Sequence, residues 1–172
     1  MTGPERSRMS KTKRVRKPAP SGDYPKVITP PPVIVLIMIA AGFAANLIQP
    51  LRFIDGNARY IAGGALLILS AVIVSLAFFK MKGAGTNVDV RKPATAVVTD
   101  GIYSYTRNPM YVSLVIFLAA ASMLLNNLWI MILIPVFIFI MGRGVIAREE
   151  LYLEEKFGAR YTDYKERVRR WL

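Results

Sequence analysis

The sequence predicts an all-α, polytopic membrane protein. It has about four transmembrane helices, the last two forming a tight hairpin, and a cytosolic C-terminal helix comes after them. Three observations carry this. Of 172 residues, 53% are hydrophobic and mean hydropathy is +0.36, yet the formal net charge is +12. The apolar residues are gathered into four runs without a charged side chain, at 33–49, 60–79, 110–125 and 128–142. The basic residues lie between and beyond those runs. A soluble domain of this size would need more polar surface than the rest of the chain supplies, whereas charge-free runs with charged ends suit a bilayer.

Residues 1–32 hold eight Lys or Arg among Pro and Ser. They read as a basic, disordered cytosolic tail able to lie on anionic lipid. The prolines of "TPPP" (29–32) open the first span, where a missing N–H costs little. Residues 33–79 carry the first two spans, joined by "PLRFIDGNAR". The third and fourth spans are joined by Asn126-Asn127 alone, which makes them an antiparallel hairpin. Runs 110–125 and 128–142 are short for a span of about 20 residues, and flanking sequence can lengthen each. The fourth is expected to continue as helix into "RGVIAREELYLEEKF". Small residues in "AGFAA", "AGGA" and "AAAS" suggest close helix contacts. Pro135 should kink the fourth span or free a carbonyl.

Charge sets the expected orientation. With four spans, 21 basic residues fall on one side and two, Arg52 and Arg59, on the other. The rich side should be cytoplasmic, so both termini and the central loop face the cytosol, in a cell (inner) membrane. Topology thereby accounts for the basic residues without a nucleic-acid partner. The chain has no cysteine and no histidine. Disulfides, thiol nucleophiles, an imidazole base and a zinc site built on either residue are excluded, and no metal is expected.

Two polar blocks flank the last hairpin and come together when it closes: "KMKGAGTNVDVRKPATAVVTDGIYSYTRNP" and "RGVIAREELYLEEKFGARYTDYKERVRRWL". A pocket for a polar small molecule could form between them. In "TRNPMY" (106–111), Asn108 caps the third span, Pro109 takes its first turn, and Arg107 either anchors to lipid phosphate or, with the helix start, holds a carboxylate. In "REELYLEEKFG" (148–158), the acids are either solvated or available to an ammonium group or as a base. Arg143 and Glu150 are seven apart and should share a helix face; Arg143 could receive an acidic group or simply snorkel to phosphate. "GAG" and "GRG" lack the strand a nucleotide fingerprint needs. "RYTDYKERVRRWL" reads as an interface-lying helix with Trp171 at the headgroup level.

Taken in order, Gly101-x-Tyr103, Arg107-Asn108-Pro109-x-Tyr111, Glu149-Glu150 and Phe157-Gly158-x-x-Tyr161-x-x-Tyr164 resemble the isoprenylcysteine carboxyl methyltransferase and phospholipid methyltransferase superfamily of integral membrane enzymes. The resemblance covers about residues 80–172, which it marks as the methyltransferase catalytic region. It implies an S-adenosylmethionine site at the cytosolic end of the last spans. Thr95, Ala96, Val97, Val98, Tyr103, Asn108, Pro109, Met110 and Tyr111 would line it beside Arg107, and Glu149 would meet the cofactor's polar end. The family's His is Asn108 here, an amide that can position but not titrate. A substrate-receiving arginine is implied just before the glutamates, at Arg143 or Arg148.

The function implied is S-adenosylmethionine-dependent methyl transfer to a lipophilic or lipid-attached acceptor that enters among membrane lipids. A carboxylate acceptor needs no base; a phospholipid amine does, and Glu150 is the residue nominated for it. The alternatives are a phospholipid amine N-methyltransferase and a catalytically inactive membrane scaffold of the same fold. The charge-free spans argue against an ion pathway.

Overall fold

The computed structural model describes residues 24, 25, 27, 29–52 and 54–172. The expected disordered tail therefore lies almost wholly outside the described residues. The regular elements among those residues are all helices, with no strand. α1 spans Pro31–Ile48, α2 Ala58–Gly83, α3 Pro109–Leu125 and α4 Leu128–Met141. α4 runs on through one π-helical turn, Gly142–Ile146, into α5, Ala147–Phe157, so a single helical rod extends over 128–157. α6, Ala159–Arg167, begins after Gly158, whose φ of +55° breaks the rod.

α1, α2 and the α4–α5 rod are each long and apolar enough to cross a membrane. α3 has 17 residues, about 25 Å of helix against a hydrocarbon core of about 30 Å. The prolines sit where they were expected, with Pro31 in the first turn of α1 and Pro109 in that of α3. α4 is helical through Pro135.

α2 packs on α3, α1 on α4, and α3 on α4. The small residues explain how closely. A Cβ on Gly42 would stand 2.5 Å from Ile130 Cγ1, and one on Gly63 would stand 2.7 Å from Leu124 Cγ. Without a hydrophobic force between helices in lipid, such close backbone approach supplies the van der Waals contact that holds a bundle together. Ser70 on α2 adds a hydrogen bond to the carbonyl of Ser113 on α3, at 2.8 Å. The core runs down the bundle through Ile34, Val35, Met38, Leu118, Ile130, Phe137 and Met141. Leu36, Ile48, Ile61, Ile68, Phe79 and Phe139 are exposed on its outside, where a bilayer would solvate them.

The Asn126-Asn127 turn does more than reverse the chain. Asn126 takes the left-handed conformation, φ 49°, and its side chain accepts from the Ile54 N–H. Asn127 is buried; its Nδ2 donates to the Gly42 carbonyl at 3.1 Å, and its Oδ1 accepts from Trp129 N. Leu128 N donates to Leu51 O, and Trp129 Nε1 to Gln49 O. The two loops at this end are stitched together, which leaves loop 84–108 and residues 142–172 at the other.

Candidate functional site

An open pocket of about 880 Å³, counted to its mouth, lies at that second end. Its walls come from the α2–α3 loop, the first turn of α3, α5 and α6. The loop is held from below by Thr86, whose Oγ1 accepts from Thr95 N and Ala96 N at 3.0 and 3.4 Å. Thr95 Oγ1 donates to Gly85 O. From above, Tyr152 on α5 accepts from Ala94 N at 3.1 Å. The strand-like segment 94–98 is thus fixed at both edges, with Val97 buried against Tyr161 and Tyr164.

Those two tyrosines lie on one face of α6, three residues apart, with rings edge to face at 6.1 Å. Tyr164 Oη donates to the carbonyl of Tyr103, 2.7 Å away, which locks the short 3₁₀ turn Gly101–Ser104 onto α6. Burial pushes the phenols of Tyr103, Tyr161 and Tyr164 well above their ordinary value. They stay protonated, and the Tyr164 hydroxyl serves as a donor.

The start of α3 differs from expectation. Asn108 occupies the N-cap position, but its side chain makes no capping bond. Its Nδ2 donates instead to the carbonyl of Arg170, at 2.9 Å. Thr106 Oγ1 reaches the same carbonyl, and Arg107 N donates to Arg169 O. The short segment 106–108 therefore straps down the chain's last residues. The expected interface helix ends at Arg167, and Val168 beyond it is extended. Trp171 is partly buried and packs on the main helical core.

Two carboxylates mark the pocket's polar wall. Glu149 Oε2 accepts from Tyr111 Oη at 2.8 Å. Glu150, 4% exposed, is held by two arginines. Arg107 Nη2 pairs with Oε1 at 3.1 Å; Arg170 Nε reaches Oε1 at 3.1 Å and its Nη2 bonds Oε2. Arg107 is therefore buried against protein, not anchored to lipid phosphate. Its Nε and Nη1 meet no protein acceptor.

Ala96, Val97, Val98, Tyr103, Arg107, Asn108, Pro109, Met110, Tyr111 and Glu149 all line the pocket, and so does Glu150. Thr95 does not; it is exposed and props the loop. Arg143 and Arg148 stand outside the lining, both exposed, with the Arg143 guanidinium over the Phe139 ring at 5.3 Å. The expectation that Arg143 shares a face with Glu150 is overturned by the π-turn between them. A wide turn absorbs one extra residue, which rotates everything after it by about 100°. Arg143 consequently faces out and Glu150 in. Sequence reasoning also passed over Thr86, Tyr161, Tyr164 and Arg170. The tyrosines were present in the motif; nothing in the sequence distinguished Thr86, or Arg170 from its neighbouring arginines.

The model of the phospholipid methyltransferase family matches residues 58–160, reaching back through α2 as well as over the pocket. A 63-residue stretch is 46% identical to an uncharacterized protein of Haemophilus influenzae, covering 37% of this chain and all of that protein. A 72-residue stretch is 38% identical to the protein-S-isoprenylcysteine O-methyltransferase of Schizosaccharomyces pombe, 42% of this chain but 30% of that enzyme's length. No solved structure matches.

Proposed function

We propose, from the premise that the chain belongs to the phospholipid methyltransferase family, that this membrane methyltransferase takes its methyl group from S-adenosylmethionine held in the pocket. The acceptor is lipophilic or lipid-attached. The observation that carries the reading is the convergence of the 96–98 segment, the first turn of α3 and Glu149 on one cavity.

The donor set fits an amphiphilic, zwitterionic cofactor. Ala96, Val97, Val98 and Met110 give an apolar wall for a nucleoside, Glu149 gives a carboxylate for a cationic group, and Arg107 keeps two donors unanswered. When bound, S-adenosylmethionine supplies an electrophilic methyl on a sulfonium. The chain's part is to align that methyl with the acceptor and to exclude water. Tyr111 fixes the Glu149 carboxylate by its hydrogen bond. Asn108 is bonded to the strap and moves no proton.

Both Glu150 oxygens are occupied by two guanidinium groups, so the carboxylate is not presented to an acceptor as a base would be. This favours an acceptor that is already nucleophilic, a carboxylate, in line with the O-methyltransferase name of the S. pombe relative. The second reading is a phospholipid amine, in line with the family's description; Glu149 would then be the carboxylate available to take its proton.

Calorimetric titration of the purified chain in mild detergent tests the donor. We expect S-adenosylmethionine and S-adenosylhomocysteine to bind with micromolar affinity. Glu149→Ala and Tyr111→Ala should each weaken it about tenfold or more, the size of a lost hydrogen bond to a charged group. A folded, monodisperse sample that binds neither compound would end the methyltransferase donor reading and leave an inactive scaffold.

We place the pocket, and both termini, on the cytoplasmic side of a bacterial inner membrane, because 21 of the 23 basic residues lie at the pocket end or in the N-terminal tail. The chain has no cysteine, so a single introduced thiol reports topology cleanly. In intact cells a membrane-impermeant maleimide should label Gly56→Cys and spare Arg91→Cys. The reverse pattern would invert the assignment.

A further inference from the structure

We propose that Arg170 is a positioning residue that, through Glu150, makes Arg107 the receptor for the carboxylate of the methyl donor's amino-acid end. The inference rests on the donor reading above and goes beyond it.

Arg107 stands in the pocket wall with its side chain 8% exposed. One of its nitrogens, Nη2, is taken by Glu150 Oε1, while Nε and Nη1 meet no protein acceptor. A buried guanidinium donor without an acceptor loses its hydration and gains nothing in return. Such a group marks a place where an acceptor from outside the chain is expected. The charge balance agrees. Two guanidinium groups, of Arg107 and Arg170, share one carboxylate, so the cluster keeps one positive charge for an incoming monoanion.

Glu149 lies in the same pocket and turns to Tyr111, leaving Arg107 to others. A guanidinium with spare donors and a separate carboxylate lining one cavity are complementary to a zwitterion, with Glu149 facing its ammonium and Arg107 its carboxylate. The α-amino acid end of S-adenosylmethionine is such a group.

Arg170 decides whether Arg107 is available. It grips both Glu150 oxygens, through Nε and Nη2. Its backbone carbonyl is clamped by Asn108 and Thr106, and the neighbouring Arg169 carbonyl by Arg107 N. The strap thus holds Glu150 to one edge of Arg107. Without Arg170, Glu150 is free to swing onto the remaining Arg107 donors and close the subsite.

The test compares S-adenosylhomocysteine with its decarboxylated analogue by calorimetry on the full chain in detergent. Wild type, Arg107→Gln, Arg170→Gln and Arg170→Lys are measured, with size-exclusion profiles as the fold control. Wild type should prefer the carboxylate-bearing compound by about tenfold, the effect of one charge-assisted contact. Both glutamine variants should bring that ratio towards one. Arg170→Lys, which keeps the charge but loses the fork, should return part of it. A purely structural role for Arg170 would change both affinities together and leave the ratio alone. If wild type binds and the ratio is the same in all folded variants, the inference is overturned while the donor reading stands. If that unchanged ratio comes with lost binding of N-palmitoylglycine to the donor-loaded protein, the carboxylate belongs to the acceptor and the proposal fails as stated. If wild type binds neither nucleoside, the donor reading fails and takes the inference with it.

Discussion

Glu150→Ala should lower the stability of the folded chain by about 3–5 kcal/mol, the usual cost of stripping one partner from a buried ion pair. The carboxylate is 4% exposed and the Arg107 side chain facing it 8% exposed. Removing it leaves Arg107 buried, charged and without any protein acceptor on its side chain. The Arg170 side of the cluster contributes less, since that side chain is 41% exposed and water can replace its partner. Glu150→Gln should fall between, keeping one acceptor and losing the charge. Replacing the buried pair together, Arg107→Met with Glu150→Leu, should recover much of the loss, because the desolvation penalty disappears with the charges. Thermal and denaturant unfolding in mixed micelles reads all four proteins. A loss below about 1 kcal/mol for Glu150→Ala would mean that the cluster is solvated and the buried arrangement wrong.

Gly42→Leu should separate α1 from α4 and cost about 1–3 kcal/mol, the range for overpacking a filled interface. The first added carbon would already stand 2.5 Å from Ile130 Cγ1 and 3.2 Å from Ile130 N. Ile130 is fully buried, so its side chain has nowhere to turn, and the second contact is with backbone. The helices must part. The Gly42 carbonyl also accepts from Asn127 Nδ2 at 3.1 Å, so parting them stretches the bond that ties α1 to the hairpin turn. Gly64→Leu is the matched control, because its Cβ would meet nothing within 4 Å. Equal thermal stability for the two variants would remove the close approach at Gly42 from the account.

Much of the molecule was legible in the sequence because its signals are local or periodic. The four apolar runs, the prolines at the starts of α1 and α3, and the two-residue hairpin turn each depend on a few neighbouring residues. The small-residue clusters at 42 and 63 pointed correctly to close contacts, though not to Ile130 and Leu124 as the residues opposite. Most pocket positions came from a resemblance, not from spacing. The spacing argument itself failed once, for Arg143 and Glu150, because periodicity assumes a uniform helix and the π-turn at Gly142–Ile146 is not one.

The sequence by itself determined the class of environment, the four apolar helical runs and the end of the bundle at which polar residues collect. Charge-free length and charge position are enough for that, since a bilayer imposes both. Only the tertiary structure decided which carboxylate does what. Glu149 and Glu150 are neighbours of identical chemistry. About 100° of rotation per residue sends one to Tyr111 and the other between Arg107 and Arg170. Those partners lie 20 to 43 residues away along the chain, and no local pattern names them. The strap at 168–172 shows the same thing, since its contacts with 106–108 form only when the hairpin has brought both chain segments to one end.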